Sequence, residues 1–139
     1  MYEMVLRCPA NVETIELCDL IIDSLASFFV VRDRQALVLS VHEAIINAVE
    51  AVRTQFDNDD ACHITVSVRI TAEEVTILVA DAANGLSKQH IESRQEKRLE
   101  DVLLEESGRG LLLMRELMDD LWAEPLENGA YAIGMKMRR

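Results

Sequence analysis

The chain has 139 residues, half of them hydrophobic and 28% charged, with a formal net charge of -11 at neutral pH. That length fits a single domain spanning residues 1–139, and the composition excludes a disordered or fibrous protein. Strong negative charge repels phosphate backbones and anionic lipid, which argues against nucleic acid or a membrane as direct partners. It leaves protein partners and nucleotides open, because backbone N–H groups and a metal ion hold phosphates without a basic surface.

In chain order, Tyr2 to Cys8 alternates weakly and stops at Pro9, as a first strand does. From Asn11, a suitable N-cap, Ile15, Cys18, Ile22 and Leu25 recur at helical spacing. Asp33 caps a second helix, running to about Phe56, whose apolar stripe is Leu37, Val41, Ala44, Ile45, Ala48 and Val52. The polar cluster Asp57 to Asp60 makes a turn, after which Ile64, Val66, Val68 and Ile70 alternate strictly with polar residues. Val75 to Ala80 follows a short Thr71 to Glu74 turn, so these two strands form a hairpin.

Composition then shifts, and residues 84–107 are rich in charge and poor in core material. Gly108 to Gly110 opens a helix read as Leu111 to Leu121, and strands follow around Trp122 and from Ala130 to Met137, joined at Asn128-Gly129. The fold class expected is α+β: a two-layer sandwich with a mixed, mostly antiparallel sheet and helices on one face. Cys8, Cys18 and Cys62 lack the spacing of a zinc or redox motif, and the N-terminus carries no signal sequence, so reduced thiols and a cytoplasmic location are expected. No apolar run reads as long enough to span a bilayer.

Three constellations bear chemistry. Glu43 and Asn47 stand four apart on the second helix, so both emerge on one face. A carboxylate there orients or deprotonates a hydroxyl, and an amide oxygen is a hard ligand suited to magnesium. Taken alone, the pair is better read as decorating the solvent face of the helix, because this spacing is common by chance. Asp81 ends an apolar strand just before Ala82-Ala83-Asn84-Gly85, where it serves either as a ligand acceptor or as a turn residue. Ser107-Gly108-Arg109-Gly110-Leu111 puts small residues at a helix start, where free N–H groups favour phosphate.

Together these three resemble the N, G1 and G2 boxes of the GHKL (Bergerat, histidine kinase-like) ATPase superfamily, over nearly the whole chain. Within it, His42-Glu43-Ala44-Ile45-Ile46-Asn47-Ala48, Ser107-Gly108-Arg109-Gly110-Leu111 and Met114-Arg115-Glu116-Leu117-Met118-Asp119-Asp120 resemble the anti-sigma factor serine kinases. The resemblance implies ATP and Mg2+ as cofactors and Glu43 as general base toward a serine hydroxyl. It implies Asn47 as magnesium ligand, Asp81 as acceptor for the adenine amino group, and Gly85, Gly108, Arg109, Gly110 and Leu111 as nucleotide contacts. For Arg109 the residues themselves favour an exposed loop arginine over a phosphate contact. Residues 86–107, with the charged stretch from Lys88 to Ser107, would form an ATP lid.

The implied partners are a sigma factor and a STAS-domain anti-sigma antagonist, and the implied assembly is a homodimer. Three positions depart from the family pattern. Ala83 replaces the middle G1 glycine, Ala130 replaces a threonine after the hairpin glycine, and Ala51 stands where many members have histidine. Ala83 and Ala130 keep a second reading open, a catalytically degenerate binding module that sequesters a protein without phosphorylating it. His42 reads as a packed or surface residue, His63 and His90 have no evident ligand set, and Met114 and Met118 read as core.

Overall fold

Among the described residues, the elements begin within about two residues of their sequence signals. In the computed structural model, which describes residues 1–55, 62–81, 109–125 and 131–139, the strands are β1 (Tyr2–Pro9), β2 (His63–Ile70), β3 (Glu74–Asp81), β4 (Asp120–Pro125) and β5 (Tyr131–Arg138). The helices are α1 (Val12–Phe28), α2 (Arg34–Gln55) and α3 (Arg109–Leu117). The Asn11 side chain accepts the Thr14 N–H at 2.9 Å and Asp33 accepts the Ala36 N–H at 3.1 Å, so both predicted N-caps are formed. Between β2 and β3 the Thr71 hydroxyl accepts the N–H groups of Glu73 and Glu74, which closes the turn from its own side chain.

The five strands lie in the order β1-β2-β3-β5-β4, and every neighbouring pair is antiparallel. The sheet is therefore wholly antiparallel among the described residues, where a mixed one was allowed for. Alternation decides which face is covered. Ile64, Val66, Val68 and Ile70 of β2, Val75, Ile77 and Val79 of β3, and Met135 and Met137 of β5 are all buried. Ile22, Leu37, Val41, Ile45, Val52 and Met114 from the helices close over them, giving the two-layer α+β architecture.

The third helix is shorter than its apolar spacing suggests. It stops at Leu117 because the next backbone groups are claimed by the sheet: Asp119 N–H donates to Lys136 O at 2.9 Å, and Arg138 N–H donates to the Asp119 carboxylate at 2.7 Å. Leu121 thus belongs to β4, opposite Met135. The helix α2 is long and apolar enough, by composition, to cross a membrane at a mean hydropathy of 1.3 over Arg34–Arg53. Half of that stretch is buried inside the fold, and core packing accounts for its apolarity. All three cysteines are free and buried, and burial, then the neighbouring Cys8 and Asp19, push the Cys18 thiol up to about 12. The expected lid, the Asn128-Gly129 turn, Gly85, Gly108, Ala83 and Ala130 lie outside the described residues.

Candidate functional site

The helix α2 carries Glu43 and Asn47 on a face that is only half-buried, beside the buried stripe of Ala44, Ile45 and Ala48. They face the start of α3. A Cβ built on Gly110 would lie 2.9 Å from Glu43 Oε2 and 3.6 Å from Asn47 Nδ2, so the two side chains and the Gly110 backbone converge on one small space. Residues separated by more than sixty positions in sequence thus meet. A Cβ at this position would crowd the Glu43 carboxylate, and larger side chains would reach Asn47 as well.

The start of α3 suits an anion. Its first turn holds no acidic side chain of its own, and the N-terminal end of a helix carries the positive end of its dipole. Leu111, Met114 and Met118 are buried in the core and hold this helix against the rest of the fold, so the turn carrying Gly110 is anchored from below. Asp81 is the last residue of β3 and is itself buried. It follows Val75, Ile77 and Val79 in phase, so its side chain lies on the sheet face that α2 covers, in the same layer as Glu43 and Asn47.

The donor set near Gly110 is therefore a carboxylate, a neutral amide and helix N–H groups. A magnesium ion accompanied by phosphates takes oxygen ligands from one or two protein side chains and leaves the rest to phosphate and water, and this set fits that demand. Among the described residues no cluster of three or more His, Cys, Asp or Glu side chains could hold a metal by itself, so a bare transition-metal centre has no residues to build on there. Of the sequence-predicted contacts, Glu43, Asn47 and Gly110 come together, Leu111 anchors the helix from the core side, and Arg109 begins it.

One partnership was missed. His42 Nδ1 lies 2.9 Å from the carboxylate of Asp19 on α1, a contact that ties α1 to α2. The only sequence signal for it is a polar residue interrupting each helix, which does not name its partner.

Comparison with known proteins agrees with this geometry. A family model described as a histidine kinase-like ATPase domain matches residues 8–134. No curated protein matches. Among solved structures, a chain of the SiaB-SiaC complex from Pseudomonas aeruginosa superposes with a TM-score of 0.58 at 12% sequence identity, covering 98% of this chain and 89% of that one, a likeness of fold. With the family model spanning both layers and all three converging residues, the chain belongs to the histidine kinase-like ATPase domain family.

Proposed function

We propose that this protein binds Mg2+·ATP between α2 and α3 and acts as a partner-switching anti-sigma factor and serine kinase, which binds a sigma factor and phosphorylates a STAS-domain antagonist. The observation that carries the nucleotide site is the convergence of Glu43 and Asn47 on the Gly110 backbone at a helix start. Asn47 holds the metal through its amide oxygen, Gly110 and its neighbours offer backbone N–H groups to phosphate, and Asp81 accepts the adenine amino group. Magnesium, when bound, neutralises charge on the phosphates and favours their transfer. Glu43 takes the proton from the antagonist's serine hydroxyl as that oxygen bonds to the γ-phosphorus and the bond to ADP breaks.

The sigma factor and the antagonist rest on the motif resemblance around His42 to Ala48 and Met114 to Asp120, and the likeness to a chain solved within a two-protein complex supports a protein partner. Such a regulator works in the cytoplasm, and its net charge of -11 keeps it from binding nucleic acid itself. The second reading, a binding module without kinase activity, is favoured by one feature, the alanines at 83 and 130.

Glu43→Gln separates the two. It keeps size and hydrogen bonding and removes the base, so a timed phosphorylation assay beside a binding assay should show retained ATP and partner binding with transfer slower by roughly 10²- to 10⁴-fold. Parent protein that binds a sigma factor yet labels no antagonist at saturating Mg2+·ATP would leave only the binding module.

A further inference from the structure

Helices α1 and α2 leave an open cleft between them. Asp19 and Asp23 stand on its α1 wall, Arg34, Leu39 and His42 on its α2 wall, and Val38 lies between, around about 370 Å3 of space open to solvent. The helical period explains this arrangement. Arg34, Val38 and His42 recur every fourth residue on the flank of α2 that meets α1, whereas Glu43 and Asn47 lie on the other flank and face Gly110. One flank of α2 thus belongs to the candidate nucleotide site and the other to the cleft.

The cleft is apolar along its rims and one-sided in charge. Leu20 on α1 is 69% exposed and Leu39 on α2 is 40% exposed. Helix α1 carries Glu13, Glu16, Asp19 and Asp23 and no basic residue, and among the described residues lining the cleft Arg34 is the one permanent cation. Asp23 meets Arg34 at 3.1 Å and Asp19 meets His42 at 2.9 Å, yet the two carboxylate side chains stay 50% and 34% exposed. A carboxylate has about four acceptor sites, so both keep capacity for a further cation. Glu16, also exposed, continues the row, and the spacings of three and four put one carboxylate on each turn.

We propose that this cleft docks a basic amphipathic helix of a protein partner, with Leu or Ile side chains between Leu20 and Leu39 and a Lys or Arg on each turn over Glu16, Asp19 and Asp23. Charge complementarity sets the sign of the partner, and the net charge of -11 draws such a partner in from a distance. The walls set its form. Both are helices whose interior backbone groups bond within themselves, so an extended segment gains no main-chain pairing here, whereas a third helix packs through side chains alone. A small ligand is held where most of its surface is buried, which an open cleft does not provide. A helix seated here leaves Glu43 and Asn47 free on the other flank, so partner and nucleotide are held at the same time with α2 between them. The inference goes beyond the kinase reading and uses none of it.

The test uses the full chain, isotope-labelled, and a synthetic peptide of about four helical turns in which Leu and Lys recur at helical spacing on adjacent faces. The same peptide with every Lys replaced by Glu is the control. The Lys peptide should shift amide resonances of α1 and the first half of α2 and spare Gly110 and the sheet. Leu39→Glu and Glu16→Lys, both at exposed positions and checked for folding by circular dichroism, should each weaken binding by about fivefold or more. Glu124→Lys makes the same charge change at an exposed position on β4 and should alter binding by less than about twofold. Equal losses for Glu16→Lys and Glu124→Lys would show attraction by net charge alone and overturn the docking site. Equal binding of the Glu peptide, shifts centred on Gly110 or the sheet, or no binding of the Lys peptide would each overturn it as well. No arm contains nucleotide, so a failure here leaves the Mg2+·ATP reading standing, and a failure of that reading leaves these shifts unchanged.

Discussion

A single methyl group at Gly110 tests the site geometry with little disturbance to the fold. The Cβ of Gly110→Ala would sit 2.9 Å from Glu43 Oε2, and ordinary contact begins near 3.4 Å, so the carboxylate must retreat by about 0.5 Å. Because the obstacle is the free end of a flexible side chain, the cost is that of a small rotamer adjustment, about 0.5–1.5 kcal/mol, which the gain of up to about 1 kcal/mol in helix propensity largely offsets. The melting temperature should therefore move by no more than about 4 °C. Chemistry is less forgiving: a misplacement of 1 Å at a reacting group costs about 10²-fold, so half of that predicts roughly tenfold slower phosphoryl transfer. Asn47 Nδ2 stands 3.6 Å from the same Cβ, an ordinary contact, and the dissociation constant for Mg2+·ATP should change by less than about threefold. Calorimetric titration, a thermal melt and a timed transfer assay on parent and variant give the three numbers. An unchanged transfer rate would show that Glu43 does not act on the reacting atoms, and the reasoning from this gap would fail.

Gly110→Val adds branches that reach Asn47 as well, so ATP binding should fall about tenfold or more while adenosine, which lacks phosphates, is affected less; equal losses in parallel titrations would point to damage to α3 as a whole. On the opposite face of the sheet, a Cβ on Gly134 would lie 2.2 Å from the Trp122 ring, and Gly134→Ala should cost about 1–3 kcal/mol in a urea melt, most of it recovered in the double variant with Trp122→Ala. Burial holds the Cys18 thiol neutral up to about 12, against 9.0 when unperturbed, so its contribution to stability is complete below pH 9 and is lost as pH rises from there toward 12. Melts between pH 8 and 10 should show a decline that Cys18→Ala removes; an identical slope in that variant would assign the decline to other groups.

What could be read from the residues in advance divides along a physical line. Local signals were sufficient for Asn11 and Asp33, whose side chains bond backbone within one turn, and for β2, where strict alternation admits only one buried face. The end of α3 was not legible, because Met118 and Leu121 continue the helical apolar spacing and only the ladder to Lys136 and Arg138 reveals that the chain has turned into the sheet. Glu43 and Asn47 are a local pair, visible from their spacing, yet their meeting with Gly110 depends on how α2 and α3 pack, and it was reachable only through the resemblance of whole motifs. The partnership of His42 with Asp19 has the same long-range character without a motif to announce it. Asp81 was assigned equally to a turn and to a ligand; its burial on the face covered by α2 puts it in the layer of the site.

The central claim, that Asn47 and the Gly110 turn form a magnesium-dependent nucleotide site, is tested most directly by titrating ATP into the parent chain and into Asn47→Ala, each with magnesium and with EDTA. Asn47 is half-buried and polar, outside the apolar core, so the variant should stay folded. The parent should bind ATP more tightly with magnesium than without, and the variant should lose that magnesium-dependent gain, with binding in magnesium weaker by roughly tenfold or more. An Asn47→Ala chain that binds ATP in magnesium as tightly as the parent would contradict the account.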